Sequence, residues 1–152
     1  MSHMTDPYWG LPDPDLHAEF YDDVPTKRLI AFVVDTIVIV LLSLLVVPFT
    51  AFTGLFFFPL LMLMVGFVYR VATLTGRSAT WGMRLAAIEF RDARGRRFDL
   101  SQAFWHTALF TFFFGTILLH LASVMLMLTG PRRQGLPDLL LGSAAVNRAA
   151  GQ

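Results

Sequence analysis

Three long stretches of this chain contain almost nothing that water would solvate, and this limits the possible folds more than any other feature. Leu29 to Val47 is broken only by Asp35, Thr36 and Ser43. Leu55 to Val71 carries Pro59 near its start, and Ala103 to Leu128 contains no Asp, Glu, Lys or Arg. At about 1.5 Å per residue the first block is about 28 Å long, close to a hydrocarbon core of about 30 Å. Charged residues make up only 15% of the chain and hydrophobic ones 55%, against roughly 25% charged in an average soluble domain. The expected fold class is therefore an all-α integral membrane protein. It would be a small helical bundle with membrane helices at 29–47 and 55–71, a long third hydrophobic segment at 103–128, and a short β element in a cytoplasmic loop.

The segments between the blocks set the expected organisation. Pro48, Thr50, Thr53 and Gly54 mark a turn so short that the first two blocks must form a helical hairpin. The loop 73–100 carries Arg77, Arg84, Arg91, Arg94, Arg96 and Arg97, offset by Glu89, Asp92 and Asp99. Within it, Leu85–Phe90 reads as a strand. Asp92–Gly95 reads as a turn leading to a partner strand around Arg97–Leu100. Lys27, Arg28, Arg70 and the loop arginines bracket the hairpin on one side, which the positive-inside rule makes cytoplasmic. The competing reading of the loop is a contact with anionic lipid head groups or a protein partner. Residues 1–26 are acidic and Pro-containing, and are expected to form a disordered cytoplasmic tail. They lack the basic, apolar and small-residue order of a secretory signal, so the first block is expected to be retained. Residues 27–148 then form one transmembrane domain, followed by a short tail at 149–152.

The third block poses a conflict. As one straight helix it would be about 39 Å long, so it must tilt, start on the surface, or break near Gly115. A straight crossing would place Arg132, Arg133 and Arg148 outside, against the positive-inside rule. Doubling back returns them to the cytoplasmic side. Pairing of Ser143–Val146 with the strand at Leu85–Phe90 is possible only in that second arrangement.

Composition excludes several function classes. A net charge of +1 offers no global field for nucleic acid. The absence of cysteine removes disulfides, thiolate metal sites and thiol nucleophiles. Gly76–Gly82 lacks the Lys-Ser/Thr ending of a phosphate loop, and no paired catalytic carboxylates or nucleophile elbow occur. No cofactor, no metal and no enzymatic activity are expected. His106 and His120 sit fourteen residues apart, near one helical face. Without nearby carboxylates they read as interfacial or packing residues rather than a metal or proton relay.

Asp35 is the most informative position. A carboxylate inside a membrane helix costs roughly 2.5–3.5 kcal/mol on insertion scales, so something must offset it. Arg28 lies two turns earlier on the same face, about 10 Å away along the axis. At that distance a shared third group or water is the expected link. A functional reading makes Asp35 an ion- or proton-handling group, whereas a structural reading makes it a fixed point for helix packing.

The stretch Arg28-Leu29-Ile30-Ala31-Phe32-Val33-Val34-Asp35 resembles the opening signature of the RDD family, small bacterial membrane proteins named for one Arg and two Asp. Gly76–Leu85 with Ile88–Asp92 looks like that family's Gly-rich loop and strand. Arg132-Arg133-Gln134-Gly135-Leu136-Pro137-Asp138 looks like the segment bearing its second Asp. The resemblance runs from about Lys27 to Val146 and puts the signature at Arg28, Asp35 and Asp138. Pro137 stands where the family often has His. The resemblance implies a bacterial inner-membrane protein with a cytoplasmic N-terminus, and transport, with cation/proton antiport its most concrete form. Asp35 would be the titrating or ion-binding group, Arg28 its charge partner, and Asp138 a gate or second ligand at the cytoplasmic mouth. Three helices alone rarely enclose a polar path, so a homo-oligomer would follow. The alternative is a non-catalytic membrane scaffold or accessory subunit whose Arg and Asp residues lock the helices.

Overall fold

The first apolar block becomes the longest helix, α1 (Val24–Val46), in a computed structural model that describes residues 10–147. Pro25 lies in its first turn, where a missing N–H breaks no intrahelical bond. Short 3-10 turns at Val47–Thr50 and Thr53–Leu55 reverse the chain into α2 (Phe58–Leu74). The expected hairpin thus forms, with each helix shifted by a few residues from the apolar blocks 29–47 and 55–71. After α2 come a short α3 (Trp81–Leu85), a strand β1 (Ile88–Arg91), α4 (Leu100–Gly115) and α5 (Ile117–Thr129). A last helix, α6 (Leu136–Leu141), leads into β2 (Ala144–Asn147).

The third block breaks at Gly115–Thr116, and α4 and α5 meet at a bend of 117°. At about 1.5 Å per residue these helices are about 24 and 20 Å long. The bend carries the chain back toward the start of α1. Arrival is fixed by Ser123 of α5, whose buried hydroxyl accepts the Leu136 backbone N–H at 2.9 Å and so holds the first turn of α6. Of the described helices, α1 (within Ala18–Thr50) alone is long and apolar enough to cross a membrane, and the bent α4–α5 pair qualifies only if taken as one span.

β1 and β2 form a two-stranded antiparallel sheet in the register Ile88↔Asn147, Glu89↔Val146, Phe90↔Ala145 and Arg91↔Ala144. The expected pairing of Ser143–Val146 with the loop strand is therefore present. The expected partner around Arg97–Leu100 is not a strand. The turn at Asp92–Gly95 does form, closed by the Asp92 N–H to the Arg96 carbonyl at 2.9 Å. Beyond it the chain moves directly into α4, capped by Asp99.

Residues 10–23 correct the expectation of a disordered tail over 1–26; residues 1–9 and 148–152 lie outside the described residues. Leu11 and Tyr21 are buried with Ala144 and Val146 in a small cluster beside the sheet. The Gly10 N–H bonds the Ala93 carbonyl at 2.8 Å, and the Tyr21 hydroxyl bonds the Pro12 carbonyl at 2.7 Å. Asn147 of β2 donates to the carbonyls of Glu19 and Asp22 and accepts from Lys27 Nζ. The acidic composition hid a segment in which Leu11 and Tyr21 turn inward with Phe20 beside them, while Leu16 stays exposed. The main core joins this lobe to the helices: Val24 and Ala31 of α1, Leu74, Met83, Ile88, Phe90, Phe98 and Ala103 pack together.

The sheet offers a direct check, because the chain has no cysteine of its own. Arg91→Cys with Ala144→Cys places two thiols on facing residues, within the reach of a disulfide. Oxidation in intact membranes should give an intramolecular cross-link, seen as a mobility shift reversed by reductant. Loss of the cross-link in a correctly inserted protein would place the strands apart.

Candidate functional site

Asp138 is the centre of the first cluster. It sits in the first turn of α6 and its side chain has no exposed surface. Its Oδ2 accepts from Arg28 Nη1 of α1 at 2.6 Å and from the Gly135 backbone N–H at 3.1 Å. Its Oδ1 lies 2.7 Å from His106 Nε2 of α4 and accepts from the Ser143 hydroxyl at 3.2 Å. Burial alone would push this carboxyl toward its neutral form. The Arg28 charge and the His106 contact outweigh that and hold it well below the usual carboxylate range. An ionised Asp138 only accepts, so His106 Nε2 carries the proton between them. The imidazole is packed against the rings of Phe90 and Phe98.

Asp35 is the centre of a second cluster, and 2% of its surface is exposed. Its Oδ1 accepts from the Tyr69 hydroxyl of α2 at 2.7 Å and the Gly82 N–H of α3 at 2.9 Å; its Oδ2 accepts from the Thr80 hydroxyl at 2.6 Å. Thr80 also caps α3 by accepting the Met83 N–H, and the Tyr69 hydroxyl accepts the Trp81 N–H. One carboxylate thus ties α1 to α2 and to the start of α3. Gly82 is required by proximity: a Cβ there would lie 2.3 Å from the Ala31 carbonyl oxygen and 2.9 Å from Asp35 Oδ1.

Arg28 and Asp35 make no direct contact, as their spacing along α1 leads one to expect. Arg28 turns to Asp138, and Asp35 is satisfied by neutral donors from α2 and the α3 region. Arg28 and Asp35 share the walls of one small chamber of about 70 Å³, with Arg70, Thr80, His106 and Thr107 completing its polar lining. That volume is enough for a few waters. No group of three or more His, Asp or Glu able to hold a metal occurs among the described residues.

Several of these residues lay outside the sequence reading. A continuous helix puts His106 near one face with His120, and with no carboxylate near either in sequence both read as interfacial or packing residues. The break at Gly115 separates them, and His120 instead meets the Phe114 ring. His106 brings an imidazole to Asp138 from a different helix, while Pro137 occupies the first turn of α6. The signal available was His106-Thr107, two adjacent polar residues in an otherwise apolar run. Tyr69, at the end of the second apolar block where an aromatic residue suits the membrane interface, turns its hydroxyl inward to Asp35.

The model of the RDD family aligns with residues 24–142. No curated protein and no solved structure matches the chain.

Two outcomes follow from the clusters. Gly82→Ala should cost about 1–3 kcal/mol by overpacking against backbone that cannot yield, read as a lower melting temperature in detergent. Asp138→Asn should cost about 3–5 kcal/mol near neutral pH, because it leaves Arg28 buried beside an uncharged group. The folded-state affinity of Asp138 for protons is depressed, so its stabilisation is full above the unfolded value of about 4 and fades as pH falls below it. The stability difference between wild type and Asp138→Asn should accordingly shrink below about pH 4, measured by denaturation across pH.

Proposed function

This chain belongs to the RDD family, and from that premise we propose that it is a multi-pass inner-membrane protein whose signature residues act as clamps. Arg28, Asp35 and Asp138 lock a cytoplasmic lobe, made of the sheet, α3 and the N-terminal segment, onto a membrane hairpin. The role is that of a membrane scaffold or accessory subunit rather than an enzyme.

The membrane setting is supported by the outer surfaces of the helices. Leu29, Ile37, Leu41 and Leu45 of α1, Leu60, Met64 and Val68 of α2, and Leu118, Leu121 and Met125 of α5 are all exposed. A water-soluble monomer rarely shows apolar patches beyond a few hundred Å², whereas lipid covers them at no cost. The basic loop, the sheet and both ends of the described chain gather at the end of α1 that carries Lys27 and Arg28. The positive-inside rule makes that end cytoplasmic.

One observation carries the clamp reading: every carboxylate oxygen of Asp35 and Asp138 is already engaged by protein donors, three on one acid and four on the other. A carboxylate that binds and releases an ion needs open positions; Asp138 has about four lone-pair sites, all taken, and Asp35 keeps one, on Oδ2. A second reading, cation or proton transport through Asp35, draws on the chamber that Asp35 shares with His106.

Asp35→Asn separates the two. The amide presents an N–H₂ group to at least one of three donors, and an unsatisfied buried donor costs about 1–3 kcal/mol. Under the clamp reading the variant melts at a lower temperature and proteoliposome ion or proton flux is unchanged from the wild type. A variant with wild-type melting behaviour that loses a measurable flux would sink the clamp reading in favour of transport.

A further inference from the structure

Between the helices, one strongly charged side chain is left without a protein hydrogen bond. Arg70, near the C-terminal end of α2, holds its guanidinium 4.5 Å from the centre of the Phe110 ring. Among the described residues no hydrogen bond or ion pair reaches that guanidinium, which leaves its five N–H donors unspent. Asp35 faces the same chamber, but its oxygens already serve Tyr69, Thr80 and Gly82. Thr107 lines that chamber too, fully buried, and its hydroxyl has no partner among the described residues. A buried hydroxyl without a partner is costly, and such groups in native proteins usually meet one.

Arg70 also closes one end of a second, larger cavity. This cleft, about 310 Å³, runs between α1, α2 and α4 past Phe32, Met62, Leu63, Phe67, Phe110 and Phe114. Its two threonines are spent on their own helices: Thr36 bonds the Phe32 carbonyl and Thr111 the Thr107 carbonyl. The walls are therefore apolar away from Arg70. Its volume falls at the lower end of small-ligand sites.

An unspent guanidinium and a free hydroxyl at one end, with an apolar cleft leading away, are complementary to an anionic head joined to a hydrocarbon chain. We infer that this cleft holds one anionic phospholipid of the cytoplasmic leaflet, its phosphate on Arg70 and Thr107 and one acyl chain along the aromatic walls. The inference rests on the membrane-embedded reading above. Arg70 lies at the end of α2 next to the arginine loop, at the depth where head groups sit. From there the cleft runs toward Pro59 at the other end of α2, as an acyl chain would. A guanidinium fits phosphate through two parallel N–H···O bonds, and the Phe110 ring already holds it in place.

The test uses the full chain reconstituted in nanodiscs of phosphatidylcholine containing trace spin-labelled phosphatidylglycerol or spin-labelled phosphatidylcholine. Immobilised label is read by electron paramagnetic resonance. Wild type should immobilise phosphatidylglycerol about tenfold more strongly, the ratio that corresponds to one moderate charge contact. Arg70→Gln should abolish the preference, and Arg94→Gln, on the exposed turn of the loop, should leave it intact. Leu63→Trp fills the cleft from an exposed position on α2 and should also remove the immobilised component, which keeps the test valid if Arg70→Gln fails to fold. Equal immobilisation of both lipids by wild type, or a preference that survives Arg70→Gln and Leu63→Trp, would overturn the inference. Release of the label by millimolar inorganic phosphate would also overturn it, in favour of a small-anion site. Recovery of the chain from cells without detergent would defeat the membrane reading itself, before any lipid is added.

Discussion

A carboxylate with no exposed surface must take its hydrogen bonds from the protein, and Asp138 takes four, two of them from distant parts of the chain. Arg28 lies 110 residues away in sequence and His106 lies 32 away, while Gly135 and Ser143 belong to its own segment. For those groups to meet, the start of α1, the first half of α4 and the approach to β2 must gather at one end of the molecule. This is possible only if the third apolar block turns back. The 117° bend between α4 and α5, the pairing of β2 with β1 and the anchoring of the N-terminal segment on Asn147 are consistent consequences of one satisfied charge.

Helix α1 spaces the two clamps. Arg28 and Asp35 are two turns apart and face one side, yet each serves a different partner: Arg28 the returning C-terminal segment, Asp35 the junction of α2 with α3. The energetics favour this division. Placing Asp35 in an apolar helix costs roughly 2.5–3.5 kcal/mol, and a hydrogen bond to a charged acceptor contributes about 1.5–3 kcal/mol. Two of its three donors therefore suffice to offset the cost, and the third adds a margin. The chamber between the clamps remains because Arg70 and Thr107 are not drawn into either one.

The sequence made the periodic and local features legible. The apolar blocks located α1 and α2 to within a few residues; the length of the third block left a tilt, a surface start or a break near Gly115 open, and the charge pattern set a straight crossing against a return without deciding between them. Arg28, Asp35 and Asp138 stood out because ionisable groups beside apolar runs demand an explanation. What stayed hidden depends on contacts distant in sequence. Nothing near His106 indicates that an acid from α6 will meet it. Helix α3 is five residues long and exists because Asp35 and Thr80 engage its N-terminal turn, which no local propensity announces. The Leu11–Tyr21 cluster was masked by the acidic residues around it.

The same contacts limit what motion the protein can undergo. For Asp35 to bind a cation from the chamber through more than its one remaining lone pair, it must give up donors from Tyr69, Thr80 or Gly82, and these hold α1 against α2 and α3. Gly82 approaches the Ala31 carbonyl so closely that even a methyl group would not fit between them. α3 therefore cannot slide along α1 while keeping contact; it can only lift away. Lifting would expose Met83 and Ala79, which share the core with Phe90 and Ala145, and so would pull on the sheet and on the segment that carries Asp138. The two acids are mechanically coupled through the lobe even though they do not touch. Under the clamp reading this coupling makes the lobe and the hairpin one rigid unit. A transport cycle would have to work as a concerted rocking of the whole lobe, because no single side chain is free to move alone.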